Sequence, residues 1–172
     1  PLKVLNDFTI EGTNGLSFRT NNADVYIGGD FTVNTGATYT HGTNTTIFNG
    51  NQESELTVAA LQTFNNLTIA KTVENKNFII ASAPATAIQV NGELRVEKGT
   101  LDHDSYIVDL HGNLYVADSL GTASSTGRVL FSGTTQQSIT SKSGVIKNMQ
   151  INNTYGSGSN VGLTGDINIF GT

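Results

Sequence analysis

Apolar and polar residues alternate in short stretches along this chain. In residues 25–33, VYIGGDFTV, and in residues 108–116, VDLHGNLYV, apolar side chains stand at alternate positions on either side of a central glycine. Alternate side chains of a β-strand point to opposite faces, so this period of two predicts short strands with one buried face. The glycine between the two strands indicates a bend.

The same strand-bend-strand pattern occurs in five places. Asn6 replaces the central glycine in the first copy. Glycine and asparagine both tolerate positive φ, so we predict positive φ or a close backbone approach at Gly29, Gly112 and Gly165. The residue after the bend is Asp, Glu or Asn, whose side-chain oxygen can accept a hydrogen bond from a neighbouring turn N–H. The five copies are residues 2–10, 25–33, 88–96, 108–116 and 161–169.

A longer internal repeat relates residues 25–69 to residues 108–151, at an offset of 83 residues. Within it, IFNGNQESELT (47–57) aligns with LFSGTTQQSIT (130–140). The two copies keep their apolar residues and change their polar ones, as expected when inward positions are fixed by stacking and outward positions are free. The spacing between modules is close to multiples of about 21 residues, a length suited to one coil of a solenoid.

These patterns predict an all-β chain that folds as a single right-handed parallel β-helix of about eight coils. The domain is expected to cover residues 1–172. A β-sandwich is the alternative, because short alternating strands also suit two packed sheets. We expect the two copies of the pattern to stack, with Phe48 and Phe131 buried. The residues expected to stack are Val25, Ile27, Phe31 and Val33 in one copy and Val108, Leu110, Leu114 and Val116 in the other.

Composition narrows the possible partners. Only 13% of residues are charged, the net charge is −5, and the nine Lys and Arg residues are scattered singly, so no basic stripe suits nucleic acid. The chain has no Cys, which excludes disulfides and thiolate metal sites. No apolar run approaches the length of a membrane span, so we expect no membrane insertion.

The string FNGNQ, followed by TFNNLTI and the glycine-centred module, resembles the repeats of large secreted, surface-displayed β-helix proteins of Bacteroidota that are described as adhesin-like. The resemblance implies an extracellular or cell-surface location and a segment of a longer repetitive chain. Its partners would be neighbouring coils of that chain, with surface glycans as a further class of partner. Strand modules lie close to both termini, so we expect further coils on at least one side and end-to-end association of the isolated segment.

The densest group of potential metal ligands lies in LDHDSYIVDLHG, residues 101–112. Two carboxylates two residues apart suit a hard cation such as calcium, and a pair of histidines suits a transition metal. The alternative is a polar turn followed by a strand with outward polar residues, and we predict this second arrangement, with no metal site. The residues concerned are Asp102, His103, Asp104, Asp109 and His111.

A glycan-cleaving β-helix would need paired carboxylates beside a positioned Arg or Lys. The pairs Glu53 with Glu55 and Asp102 with Asp104 are present, but Arg19, Arg95 and Arg128 lie far apart along the chain. We therefore predict no catalytic residues and no cofactor.

The function expected from the sequence is a non-catalytic structural or adhesive rod segment. The alternative is a carbohydrate-binding or carbohydrate-cleaving module, for which Tyr26, Tyr39 and Tyr115 are expected at outward or loop positions where they can stack on sugars.

Overall fold

A computed structural model describes residues 1–12, 16–156 and 161–171. The described residues contain 23 β-strands and no helix, so none of their segments is a helix able to cross a membrane. Each strand pairs in parallel with the strand three positions away in chain order, which is the connectivity of a three-sided coil.

The strands form three faces of the coil. Face 1 contains β1 Leu2–Val4, β4 Val25–Ile27, β7 Thr45–Phe48, β10 Asn66–Ala70, β13 Glu93–Lys98, β16 Asn113–Val116, β19 Gln137–Ser141 and β22 Val161–Thr164. Face 2 contains β2 Phe8–Ile10, β5 Phe31–Val33, β8 Ser54–Val58, β11 Asn77–Ser82, β14 Thr100–Asp102, β17 Ser119–Leu120, β20 Val145–Lys147 and β23 Asn168–Phe170. Face 3 contains β3 Leu16–Arg19, β6 Ala37–Thr40, β9 Gln62–Phe64, β12 Thr86–Val90, β15 Ile107–Leu110, β18 Arg128–Phe131 and β21 Met149–Ile151.

The chain visits the three faces in turn through seven coils, and β22 and β23 begin an eighth. The prediction of a single parallel β-helix is confirmed. The β-sandwich alternative is wrong, because the pairings of the described strands are parallel and relate successive coils, not hairpin neighbours.

Face 3 is interrupted between the second and third coils. On this face β3 and β6 form a two-stranded sheet, while β9 begins a separate five-stranded sheet. Faces 1 and 2 each run as one eight-stranded sheet. The rod therefore has two continuous walls and one wall with a break.

Inward side chains form columns parallel to the coil axis. Phe48 and Phe131 have no exposed surface, as predicted, and the Phe48 ring stacks on Phe78 with 3.9 Å between centroids. Burying one such side chain stabilises the fold by about 1.5–3 kcal/mol. One column on face 1, followed through the strand register, contains Val25, Thr46, Leu67, Leu94, Leu114 and Ile139.

The two copies of the nine-residue pattern are buried, but the prediction that equivalent residues stack is wrong: Val25 and Ile27 share face-1 columns with Leu114 and Val116, not with Val108 and Leu110. Residues 25–33 form β4 and β5, on faces 1 and 2, whereas residues 108–116 form β15 and β16, on faces 3 and 1. The offset of 83 residues corresponds to eleven strands, from β4 to β15, and eleven is not a multiple of three. Because each corner of the coil needs a strand, a bend and a strand, the same pattern serves more than one corner.

The glycines predicted at the bends allow close approach between coils. A Cβ atom on Gly112 would lie 1.6 Å from the carbonyl oxygen of Gly92, and one on Gly29 would lie 2.2 Å from Oδ1 of Asp7. Gly165 has a φ of 89°. The prediction of positive φ or close approach is therefore confirmed, with close approach as the reason at the first two sites.

Side-chain oxygens at the corners accept hydrogen bonds from the backbone of the following coil. The prediction of such bonds for the residue after the bend is confirmed at Asp7, Asp30 and Asn113, and Asn66 makes the same bond. Each of these polar residues ties its coil to the next one in a fixed register. The bonds run from Asp30 N to Asp7 Oδ1 (2.9 Å), Glu55 N to Asp30 Oδ1 (2.8 Å), Glu93 N to Asn66 Oδ1 (2.8 Å) and Ser138 N to Asn113 Oδ1 (2.9 Å).

Candidate functional site

The candidate metal ligands of residues 101–112 do not converge. Asp102 ends β14, and its Oδ1 accepts hydrogen bonds from the Asp104 amide (3.0 Å) and the Ser125 hydroxyl (2.8 Å). Asp104 has a φ of 46°, which is typical of a turn residue, and its carboxylate accepts a bond from Ser105. No group of three or more His, Cys, Asp or Glu side chains able to hold a metal ion occurs in the described residues.

His103 lies inside the coil, with no exposed surface. Its Nε2 is 3.1 Å from the carbonyl oxygen of Lys147, and its Nδ1 is buried without a hydrogen-bond partner. Burial lowers the pKa of His103, while the Lys147 carbonyl and the nearby Asp102 act to raise it. His103 and His111 therefore cannot share a metal ion, because His111 is a partly exposed residue at the corner after β15.

Asp109, His111 and Ser132 form a polar cluster where face 3 meets face 1. The Asp109 carboxylate accepts a hydrogen bond from the Ser132 hydroxyl, and its other oxygen is 3.3 Å from Nε2 of His111. In a nucleophilic site, the imidazole stands between the hydroxyl and the carboxylate and takes the hydroxyl proton. Here the carboxylate stands between the other two groups, so the imidazole does not activate the hydroxyl.

A second charged cluster lies on the outer side of face 1. The Arg95 guanidinium is 3.1 Å from Glu93 and 2.9 Å from Glu97, and it lies over the Tyr115 ring at 4.1 Å from the centroid. Partial burial acts to lower the pKa of Arg95, but the hydrogen bonds that it donates to Glu97 and Glu93 raise that pKa above its ordinary value. Both carboxylates are engaged with this one guanidinium, so the cluster is a surface ion-pair network with one excess negative charge.

The other candidate residues occupy separate parts of the rod. Glu53 and Glu55 are exposed near the start of β8, Arg19 lies in β3, and Arg128 lies in β18. Among the described residues, Arg95 pairs with Glu93 and Glu97, and not with either of the carboxylate pairs considered from the sequence.

The expectation for Tyr39 is wrong. Its ring is buried in the core, 5.2 Å from Phe31 between centroids, and its hydroxyl is 2.7 Å from Oγ1 of Thr46. Burial raises the pKa of Tyr39, and the hydrogen bond with Thr46 acts against that shift. Tyr26 and Tyr115 lie on the outer side of face 1, as predicted.

Sequence reasoning missed a buried lysine. Lys71 is 1% exposed, and its Nζ donates a 2.5 Å hydrogen bond to Oγ of Ser54, which is also 1% exposed. Burial lowers the pKa of Lys71 to about 8, and the charges of Asp30 and Glu53 oppose that shift. Strict alternation along the chain would have predicted this burial, because Lys71 stands at the next alternate position after the inward residues Leu67 and Ile69.

Comparison of the chain with family models, with curated proteins and with solved structures gave no match.

Proposed function

We propose that this β-helix is a non-catalytic rod segment, with a structural or adhesive role, of a secreted or cell-surface protein. The observation that carries the proposal is the continuous hydrogen bonding between coils. Faces 1 and 2 each continue through eight strands, and side chains at the corners accept hydrogen bonds from the following coil. Such an arrangement resists shear between coils, which a load-bearing or spacing element requires.

The resemblance of the glycine-centred modules to adhesin-like repeats supports the extracellular part of the proposal. In that setting the partners are neighbouring coils of a longer chain. The low charge content and the corner hydrogen bonds to Asn and Asp oxygens suit a fold that persists without disulfides.

Surface labelling tests the location. Antibodies against this chain are applied to intact cells of the source organism, with and without external protease, and to lysed cells. We expect labelling of intact cells that protease shaving removes, or release of the chain into the medium. Labelling that appears only after lysis would contradict the proposal.

A polysaccharide panel tests the non-catalytic part. The chain and its Asp109→Asn variant are incubated with neutral and acidic polysaccharides, and new reducing or unsaturated ends are measured. We expect no release above buffer for either protein. Release by the original chain that the Asp109→Asn variant lacks would establish an enzyme instead of a rod.

A further inference from the structure

The break in face 3 forms a cleft on the outside of the rod. Its volume is about 370 Å³, and it lies between β6 of the second coil and the segment 59–63 of the third. Elsewhere on this face, strands of successive coils are hydrogen bonded to each other, as β9 is to β12. The cleft therefore lies at the one place on face 3, among the described strands, where the strands of successive coils are not hydrogen bonded to each other.

The cleft is closed on its inner side. The Tyr39 ring lies 6.0 Å from Phe64 between centroids, and the Gln62 Nε2 donates a 3.3 Å hydrogen bond to the Tyr39 carbonyl oxygen. A peptide strand inserted between β6 and β9 would have to lie about 4.8 Å from each of these two strands. The side-chain amide of Gln62 already spans this gap, so the cleft suits a ligand that rests in it from outside.

The lining is hydroxylated and uncharged. Exposed Thr38 and Thr40 project from β6, and Leu61 offers an apolar surface opposite them. Among the described residues that line the cleft, none is Lys, Arg, Asp or Glu. Gln62 is 5% exposed, and no described residue donates a hydrogen bond to its Oε1.

We propose that this cleft binds a neutral saccharide. A sugar ring has hydroxyl groups that match threonine hydroxyls and an amide oxygen, and C–H faces that pack on Leu61. The volume lies at the low end of the roughly 300–1,000 Å³ usual for ligand pockets, which fits the end of a short glycan. An acidic glycan would find no Lys or Arg side chain among the described residues of this lining. This binding role goes beyond the rod function and does not depend on it.

The test uses immobilised neutral glycans that end in glucose, galactose, mannose or N-acetylglucosamine, with sulfated and uronic-acid glycans and unstructured peptides as competing classes. Binding to at least one neutral glycan is expected at millimolar or lower concentration. In ¹H–¹⁵N spectra, that glycan is expected to shift the amide signals of residues 34–41 and 59–63.

Two variants locate the binding. Thr38→Leu removes a hydroxyl and fills part of the cleft from β6, whereas Thr140→Leu makes the same change at an exposed position of β19 on face 1. We expect Thr38→Leu to weaken glycan binding at least about tenfold and Thr140→Leu to leave it unchanged. Leu61→Arg, at an exposed position, gives a second loss-of-binding variant. The absence of neutral-glycan binding, preferential binding of acidic glycans or peptides, or binding unaffected by both cleft variants would overturn the proposal.

Discussion

The ammonium group of Lys71 donates a hydrogen bond to the hydroxyl of Ser54 inside the coil wall, where both side chains are almost completely buried. A buried ammonium loses most of its hydration, and this loss of hydration is what lowers its pKa to about 8. The charged form therefore costs folding free energy at neutral pH. Because a shift of one pKa unit corresponds to about 1.4 kcal/mol, the shift from 10.5 costs roughly 3 kcal/mol.

We predict that Lys71→Met stabilises the protein by about 1–2 kcal/mol at pH 7, since an apolar side chain of similar length removes the buried charge. The loss of the hydrogen bond to Ser54 offsets part of the gain. The pH dependence gives a sharper test. Between pH 8 and 10.5 the unfolded chain still holds the Lys71 proton that the folded chain has released, so the unfolding free energy of the original chain rises with pH.

Urea unfolding at several pH values measures this dependence. The unfolding free energy of Lys71→Met should lack the part of the rise with pH that comes from Lys71. The difference in unfolding free energy between the two proteins should therefore shrink from pH 7 to pH 10. Lys142→Met, at an exposed lysine, is the matched control and should change neither the stability nor its slope. An unchanged slope in Lys71→Met would contradict the assignment of the low pKa to this residue.

His103 is expected to make the protein sensitive to mild acid. Burial lowers its pKa below the ordinary value of 6.5, so as the pH falls through this range the unfolded chain takes up the proton before the folded chain does. The unfolding free energy should therefore decrease as the pH falls below 6.5. His103→Leu should lose that part of the pH dependence, whereas His41→Gln, at a more exposed histidine, should keep it. Equal pH profiles for the original chain and His103→Leu would refute the prediction.

The alternation of apolar and polar residues predicted the strands, the parallel β-helix and the burial of Phe48 and Phe131. It did not predict which face each module occupies, because every corner of a three-sided coil requires the same strand-bend-strand pattern. The pairing of strands depends on how many residues separate successive corners. Partners in the register of face 1 are between 20 residues apart, as for Leu94 and Leu114, and 28 apart, as for Ala70 and Lys98.

Sequence reasoning placed Tyr39 at an outward or loop position and did not identify Lys71 or His103 as buried, and one cause explains all three. Tyr39, Lys71 and His103 each stand two positions from an inward or partly buried apolar residue, so strict alternation places them inside. Polar side chains are usually exposed, so polar character opposes the inward position that alternation indicates. Their partners, such as Thr46, Ser54 and the Lys147 carbonyl, come together only when the coils stack.

Close packing between coils predicts that Gly112 does not tolerate a side chain. Gly112→Val would place Cβ within 2 Å of the Gly92 carbonyl, which belongs to the hydrogen-bonded backbone and cannot rotate away. We expect a loss of about 1–3 kcal/mol in unfolding free energy. Gly162→Val is the matched control, because a Cβ on Gly162 meets nothing within 4 Å. Equal thermal midpoints for the two variants would show that the corner relaxes around the new side chain.

The corner hydrogen bonds predict a specific effect at Asp30. Its carboxylate accepts a bond from the Glu55 amide at 2.8 Å, so Asp30→Ala leaves that amide without its partner, whereas Asp30→Asn keeps an accepting oxygen. Both changes remove the negative charge that acts on Lys71, and the comparison between them therefore isolates the hydrogen bond. We expect Asp30→Ala to be less stable than Asp30→Asn by about 1 kcal/mol. The Glu55 amide should also exchange its hydrogen faster in Asp30→Ala. If exchange at Glu55 is the same in the two variants, this side chain does not tie the second coil to the third.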